Sequence, residues 1–594
     1  MNTDIENLFK DKVLGHPAGL FVLFFTEMWE RFSFYGMRVL LVIFLTAPLF
    51  GDNPGWADWP REHALALFGT YASLLYLTPI LGGYIADKFI GYRNAVVLGC
   101  LIMTLGHVSM AFETESSLYI GLAFLVIGTG FFKPNITSII SEMYKGNDAK
   151  KDGAYTIFYM GVNSGAFFGI MLCGYLGENY SWSLGFGLAG IFMFLGLIQF
   201  ALAKKLFGDI GAKPNKIYEV ELPQNVNEKA NSKFVDAVSE KLNHFTFLDK
   251  VLIIITSIAG LTWLINDPMS KIKDINLFDF TLLGYEGSTV IIVLAVLLFL
   301  YLISSRIIRY TPIVRDRMIA VAIFAFFTIF FWAAFEQAAG SLNIFARDYT
   351  ERSLTGSSAI VFKVIDTILT IVPLCIITYV LYMLFKKTFS KIGISNIILS
   401  ISFLIIWGIV IWKLKNDFSE DAKEVGATWF GILNSFFIIA LAPLFSKWWE
   451  SKYNPSAAFK YAYGLILLGI GFALLAYGSS GIPQGAKTAS ISMVWLIFAY
   501  LFHTLGELCL SPVGLSYLSK LVPGRMIAFM FGIWYLAIAI GQKAAGSLGG
   551  MIDKVTAEYS LATFFLIFTV VPISAGILIG ILNPLLKKLM HGIR

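Results

Sequence analysis

The chain has 594 residues, 57% of them hydrophobic and only 14% charged, and a mean hydropathy of +0.72. Soluble domains carry about 25% charged residues, so an ordinary soluble enzyme, a disordered chain and a disulfide-rich secreted domain are excluded. Forty-five Lys and Arg against 39 Asp and Glu leave a formal +6, which reads as membrane topology rather than nucleic-acid affinity.

In chain order, apolar stretches long enough to cross a bilayer lie near 18–48, 64–87, 94–112, 117–142, 153–177, 182–206, 249–266, 287–304, 317–346, 359–385, 394–414, 428–448, 459–478, 489–520, 525–549 and 559–586. Sixteen spans are therefore expected, in an all-α polytopic membrane protein. The opening MNTDIENLFKDK has no short apolar run with a cleavage site, so no removed signal peptide is expected. Cys100, Cys173, Cys375 and Cys509 sit in apolar runs without ligand-like spacing and read as free thiols; neither a metal nor a cofactor is expected.

Even-numbered connections are basic: Lys88 and Arg93; Lys145, Lys150 and Lys151; Lys204 and Lys205; Arg306, Arg309, Arg315 and Arg317; Lys386, Lys387 and Lys391. Lys587, Lys588 and Arg594 follow the last span. Odd-numbered connections are poorer in charge, except 267–286, where Lys271 and Lys273 stand beside acids. The positive-inside rule then puts both termini in the cytoplasm of a multi-pass cell-membrane protein.

The polar stretch 207–248 divides the chain. Residues 1–206 read as an N-terminal six-helix bundle, and 207–316 as a cytoplasmic linker with an inserted helix pair. Residues 317–594 read as a C-terminal six-helix bundle with a second inserted pair at about 355–415. This is the layout of transporters with a site between two bundles. Both inserted pairs are apolar and expected at the periphery, and Asp366 beside Lys363 reads as a local ion pair.

Ionisable side chains at bilayer depth are costly unless they face a cavity or a partner. The first span holds Glu27, Glu30 and Arg31 at i, i+3 and i+4, with Arg38 about two turns on, so all four share one helical face. A purely structural lock would need fewer charges. Lys133 stands in GTGFFKPNI before Pro134, which would break the helix and free backbone groups. Glu336 and Glu507 lie in later spans. The cations Arg31, Arg38 and Lys133 come from the first half, and Glu336 and Glu507 from the second. A cavity between the halves would be dipolar and suited to a zwitterion. Tyr35, Tyr76, Tyr159, Asn163, Asn434 and Trp534 lie in the same kinds of span, where taken singly each reads first as packing. His107 and His503 read as core histidines with backbone partners.

The string Glu27-x-x-Glu30-Arg31-Phe32 resembles the ExxERF motif of the proton-coupled oligopeptide transporters, the POT or PTR family. Further similar blocks are YLTPILGGYIAD at 76–87, GTGFFKPNI at 128–136, FYMGVNSGA at 158–166, FW and EQ within 331–337, and GEL with a Pro at 506–512. GGYIADKFIGYR also resembles the second-to-third-span motif of the major facilitator superfamily. The resemblance implies the major facilitator fold, usually with two extra helices, and proton-driven uptake of di- and tripeptides. It implies that Arg31, Arg38 and Lys133 hold the peptide carboxylate, and Glu507 and Asn434 the amino terminus. Glu27 and Glu30, with Arg31, would couple protons, and Glu336 would pair with Arg38 as a gate. Tyr35, Tyr76, Tyr159, Asn163 and Trp534 would line side-chain pockets.

Two positions depart from the family pattern. Phe34 stands where a tyrosine is usual, and Gly69 where animal members carry a proton-handling His, so coupling would lean on carboxylates. Relatives that move nitrate or other compounds make a different small solute the alternative, against which the pair Glu507 and Asn434 argues. No HExxH, Ser/His/Asp arrangement or phosphate-cradling GxxxxGK[ST] is present, so an enzyme is not expected. The partners expected are a peptide, protons and membrane lipid, with no nucleic acid; nothing in the sequence sets an oligomeric state.

Overall fold

The computed structural model describes residues 12–51, 53–55, 57–145, 148–213, 243–521 and 527–593; most of the expected linker, 214–242, lies outside them. In lipid each backbone N–H and C=O must be satisfied within its own segment, and all sixteen expected segments fall on helices. The first group is α1 Ala18–Leu45, α2 Arg61–Ile85, α3 Tyr92–Met110, α4 Glu115–Met143, α5 Asp148–Asn179 and α6 Trp182–Leu202. Then come α7 Phe247–Lys273, α8 Gly287–Ile308 and α9 Pro312–Phe335, which passes through the 3-10 turn Glu336–Ala339 into α10 Ser341–Asp348. The element α11 Gly356–Ser419 is followed by the 3-10 turn Ala427–Gly431 and α12 Ile432–Glu450. Last are α13 Ala457–Gly478, α14 Val494–Leu521, α15 Ile527–Gly550, α16 Ile552–Glu558, α17 Leu561–Ile581 and α18 Asn583–Leu589.

Helix starts follow local chemistry. Thr114 and Thr246 make reciprocal capping boxes with Ser117 and Asp249, and Ser181, Ser456 and Ser560 each accept a backbone N–H three residues on, satisfying donors the helix leaves orphaned. Twelve of the described helices are long and apolar enough to cross a membrane. The first has the length but carries Glu27, Glu30, Arg31 and Arg38.

Helix α1 packs along α5 and α6, α3 along α4, and α2 on α4, giving one six-helix group. In the second group α13 packs on α14 and α17, α9 on α15, and α12 on α14. The groups meet through α2 with α15 and through α5 with α12. These contacts lie at the end of the molecule opposite the termini, called the far end below.

The element α11 cannot be one rod. Sixty-four residues would run about 96 Å as a straight helix, against roughly 30 Å of hydrocarbon. Ile392 leaves helical geometry (φ −132°, ψ 43°) and folds the element into two antiparallel arms. Trp407 Nε1 consequently donates to Thr378 Oγ1 at 3.1 Å across the arms. The same fold corrects the pairing of Asp366. Its ion-pair partner is Lys413 of the other arm, at 2.5 Å, while Lys363 donates instead to the carbonyl of Glu420.

Much of the α7–α8 pair faces outward, with Ile254 and Leu297 exposed, yet charge holds its two helices together at one end and ties it to both bundles at the other. Asp249 pairs with Arg306 at 2.9 Å and Arg309 at 2.7 Å. At the far end Asp267 pairs with Lys543 of α15, which also donates to Thr70 of α2 at 2.8 Å. Lys271 pairs with Glu62, and Lys273 with Glu115. The two lysines that break the loop-charge pattern are thus neutralised locally.

Candidate functional site

The charged face of α1 is buried as its spacing requires. Arg31 Nε lies 2.9 Å from Glu27 and 2.6 Å from Glu30, and Glu30 is wholly inaccessible. One guanidinium therefore serves two carboxylates. Arg31 Nη2, Glu27 Oε2 and Glu30 Oε1 have no hydrogen-bond partner, so the cluster keeps a donor and two acceptors to spare in a setting where unmatched polar atoms are costly.

Lys133 of α4 projects over the ring of Tyr76 of α2, its Nζ 4.5 Å from the centroid, a cation–π contact. Pro134 does not break the helix: α4 is continuous from Glu115 to Met143. What Pro134 removes is the donor for the carbonyl of Gly130, four residues earlier. The backbone of α2 packs on that carbonyl at Gly82, where there is no room for a Cβ.

Between the groups lies a cavity of about 110 Å³, bounded by Tyr35 and Arg38 of α1, Tyr76 of α2, Glu336, Asn434 of α12 and Glu507 of α14. Arg38 and Glu336 form an ion pair across it, from the first group to the second. The Arg38 guanidinium also lies within 6 Å of the Phe34, Tyr35 and Phe68 rings. Opposite, Asn434 Nδ2 donates to Glu507 Oε2 at 2.8 Å and to Thr504 at 3.1 Å. Arg38 thus stands on the first-group wall and the carboxylates of Glu336 and Glu507 on the second-group wall, while Arg31 and Lys133 do not line the cavity.

A family model described as "POT family" matches residues 93–276 and 410–567. A peptide transporter of Yersinia enterocolitica subsp. palearctica is 31% identical over 586 residues, covering 97% of this chain and 96% of its own. The chain belongs to the POT family.

Other POT relatives agree along the whole length. A di-/tripeptide transporter of Lactococcus lactis subsp. lactis is 27% identical over 607 residues, covering 99% of this chain and 100% of its own. A solved POT family transporter in complex with 5-aminolevulinic acid is 26% identical, with a TM-score of 0.70 over 98% of this chain and 100% of its own. A peptide transporter POT in complex with sulfate is 27% identical, with a TM-score of 0.67 over 100% and 99%. The architecture is therefore that of the POT transporters: the major facilitator fold, two six-helix bundles with extra helix pairs, in a multi-pass membrane protein.

Not every residue singled out in the sequence reaches the cavity of this POT protein. Trp534 is 3% exposed and turns into the second bundle, edge-on to Tyr461 and over Gly514. Its neighbour Tyr535 faces Tyr76 instead, with ring centroids 6.5 Å apart. Tyr159 is exposed, and Asn163 donates to its carbonyl; neither lines the cavity. Tyr500 and His503, two turns and one turn before Glu507, do line it. Neither His503 nor His107 has the backbone partner expected of it: both rings are buried with no hydrogen bond to either nitrogen. The i−4 spacing from Glu507 was the available signal for His503.

Proposed function

We propose that this chain is a proton-coupled symporter of di- and tripeptides that works by alternating access. The observation that carries the reading is the opposition across one cavity of Arg38 to Glu507 held by Asn434. A peptide backbone is a zwitterion of that polarity. Arg31, Arg38 and Lys133 take its carboxylate, Glu507 and Asn434 its ammonium, and Tyr35 and Tyr76 the chain between. The names of the Yersinia and Lactococcus relatives support the same substrate class.

Coupling follows from the shared guanidinium. With Glu27 or Glu30 ionised, Arg31 is paired and partly neutralised. A proton on either carboxylate releases part of it to a substrate carboxylate, so proton and peptide favour each other by linkage. An unpaired buried charge costs about 3–5 kcal/mol, which sets the scale of the coupling. Arg38 with Glu336 forms a gate that opens and closes with the far end.

The moving bodies are residues 1–206 and 317–594, with the stretch 207–316 and the hairpin at 355–415 as insertions. The basic connections, all at the terminus end, support a cytoplasmic location for both termini in the cell membrane.

The test is uptake of labelled dialanine into proteoliposomes with and without an inward proton gradient. Gradient-dependent accumulation, competed by tripeptides and not by free alanine, is the expected result. No uptake by correctly inserted protein would overturn the peptide assignment. A second reading, a short peptide-like zwitterion, is favoured by the relative solved with 5-aminolevulinic acid, which carries the same two end groups; competition by that compound separates the two.

A further inference from the structure

The start of α12, the helix that carries Asn434, is held from two sides. On one, Glu178 of α5 accepts from the backbone N–H groups of Ala427 at 2.7 Å and Thr428 at 2.8 Å, and from the Thr428 hydroxyl. On the other, Asp366 in the first arm of α11 accepts from the indole Nε1 of Trp429 at 2.8 Å. The ring of Phe362, one turn before Asp366, lies against that indole with centroids 4.9 Å apart.

Charge balance does not account for the indole contact. Asp366, 2% exposed, is already neutralised by Lys413 at 2.5 Å. Lys413 reaches Asp417 at 2.9 Å, and Asp417 pairs in turn with Lys423. Two acids and two lysines close on themselves, and the Trp429 N–H is an additional contact that reaches out of the hairpin into the second bundle. The hairpin meanwhile packs on α6, and its Ser395 donates to the carbonyl of Gln199 at 2.8 Å. The contact to Trp429 is therefore braced against the first bundle. Five residues after Trp429, about 7.5 Å along the chain if helical, Asn434 donates to Glu507. The first arm falls between the two stretches that the POT family model matches, 93–276 and 410–567.

We infer that Asp366 is a positioning residue: through Trp429 it fixes the turn that sets Asn434, and so the orientation in which Glu507 meets the substrate's ammonium. This rests on the proposed peptide-binding function and gives the second inserted helix pair a task, to prop the amine end of the site.

The experiment compares uptake kinetics for dialanine with competition by N-acetyl-dialanine, which lacks the ammonium, using the full chain in proteoliposomes. Trp429→Phe keeps the ring and removes the N–H. It raises the dialanine KM about three- to ten-fold, the size of one lost hydrogen bond, and leaves Vmax and the N-acetyl-dialanine competition constant near their original values. Asp366→Asn with Lys413→Met keeps an acceptor for the indole without stranding a charge, and it retains the dialanine KM. Asp366→Ala with Lys413→Met lacks the acceptor and behaves like Trp429→Phe. Equal losses for both ligands, or no change in any variant, would overturn the inference.

A second readout separates its failure from failure of the peptide reading. Backbone hydrogen exchange over residues 427–436 speeds up in Trp429→Phe if the prop is real, even should the unaltered protein prove not to carry dialanine. Unchanged exchange there would overturn the inference independently of transport.

Discussion

Gly69 of α2 and Gly546 of α15 meet backbone to backbone where the two bundles close at the far end. A Cβ on Gly69 would lie 2.9 Å from the Cα of Gly546, and one on Gly546 would lie 2.5 Å from the Cα of Gly69. Around this contact Arg61 of α2 reaches Asp348 and Asp553, both at 2.7 Å. A larger side chain at Gly69 would have no room while the far end is closed.

Gly546→Ala is accordingly expected to open the far end. Overpacking costs about 1–3 kcal/mol, and the cost falls on the closed state alone, which shifts the equilibrium about five- to 150-fold. A cysteine placed at the neighbouring buried position by Leu65→Cys should then react faster with a membrane-impermeant maleimide added at the far side. Unaltered labelling would mean that α2 and α15 separate by another route.

Arg38 and Glu336 should behave as an interdependent pair. Glu336 is 2% exposed, so Arg38→Ala strands a buried carboxylate at a cost of about 3–5 kcal/mol. Glu336→Gln leaves Arg38 among the Phe34, Tyr35 and Phe68 rings and should cost less. A double variant, Arg38→Ala with Glu336→Gln, should recover much of the melting temperature lost by Arg38→Ala. Simple addition of the two single effects would show that the ion pair carries no coupling.

Glu30→Gln should uncouple transport from the gradient. The substitution keeps the shape of the side chain beside Arg31 and removes one of its two counter-charges, mimicking the protonated carboxylate at every pH. Dialanine exchange between preloaded vesicles and medium should persist, while gradient-driven accumulation is lost. Accumulation at the original level would move the coupling site to Glu27 or elsewhere.

The helices were legible because spans of about 20 apolar residues alternate with basic loops, and the charged cluster because each Glu, Arg or Lys stood out against that background. What stayed hidden depends on registers between distant segments. Asp366 looked paired with Lys363, three residues away, because nothing local reveals that the chain folds back at Ile392 and delivers Lys413 instead. Lys543 and Asp267 are 276 positions apart, and only the docking of the α7–α8 hairpin on α2 and α15 joins them. Pro134 read as a helix break, since a sequence cannot register that the carbonyl it orphans is packed against glycine.

The choice between Trp534 and Tyr535 turns on a rotation of about 100° for one residue, and it divides the two side chains between different tasks. Trp534 fills the interior of the second bundle against Tyr461, so Trp534→Ala should destabilise by about 3–5 kcal/mol, the usual loss for a truncated buried aromatic. Tyr535 faces Tyr76, whose ring carries Lys133. Tyr535→Ala should therefore leave the melting temperature nearly unchanged and raise the KM for dialanine by loosening the wall on which Lys133 is aimed. Tyr535→Phe keeps the ring and should retain the KM if packing is what Tyr535 supplies. Thermal unfolding and uptake measured on the same three preparations decide the matter. If Trp534→Ala raised KM while Tyr535→Ala only lowered the melting temperature, the two side chains would have exchanged roles and the rotation of α15 described here would be wrong.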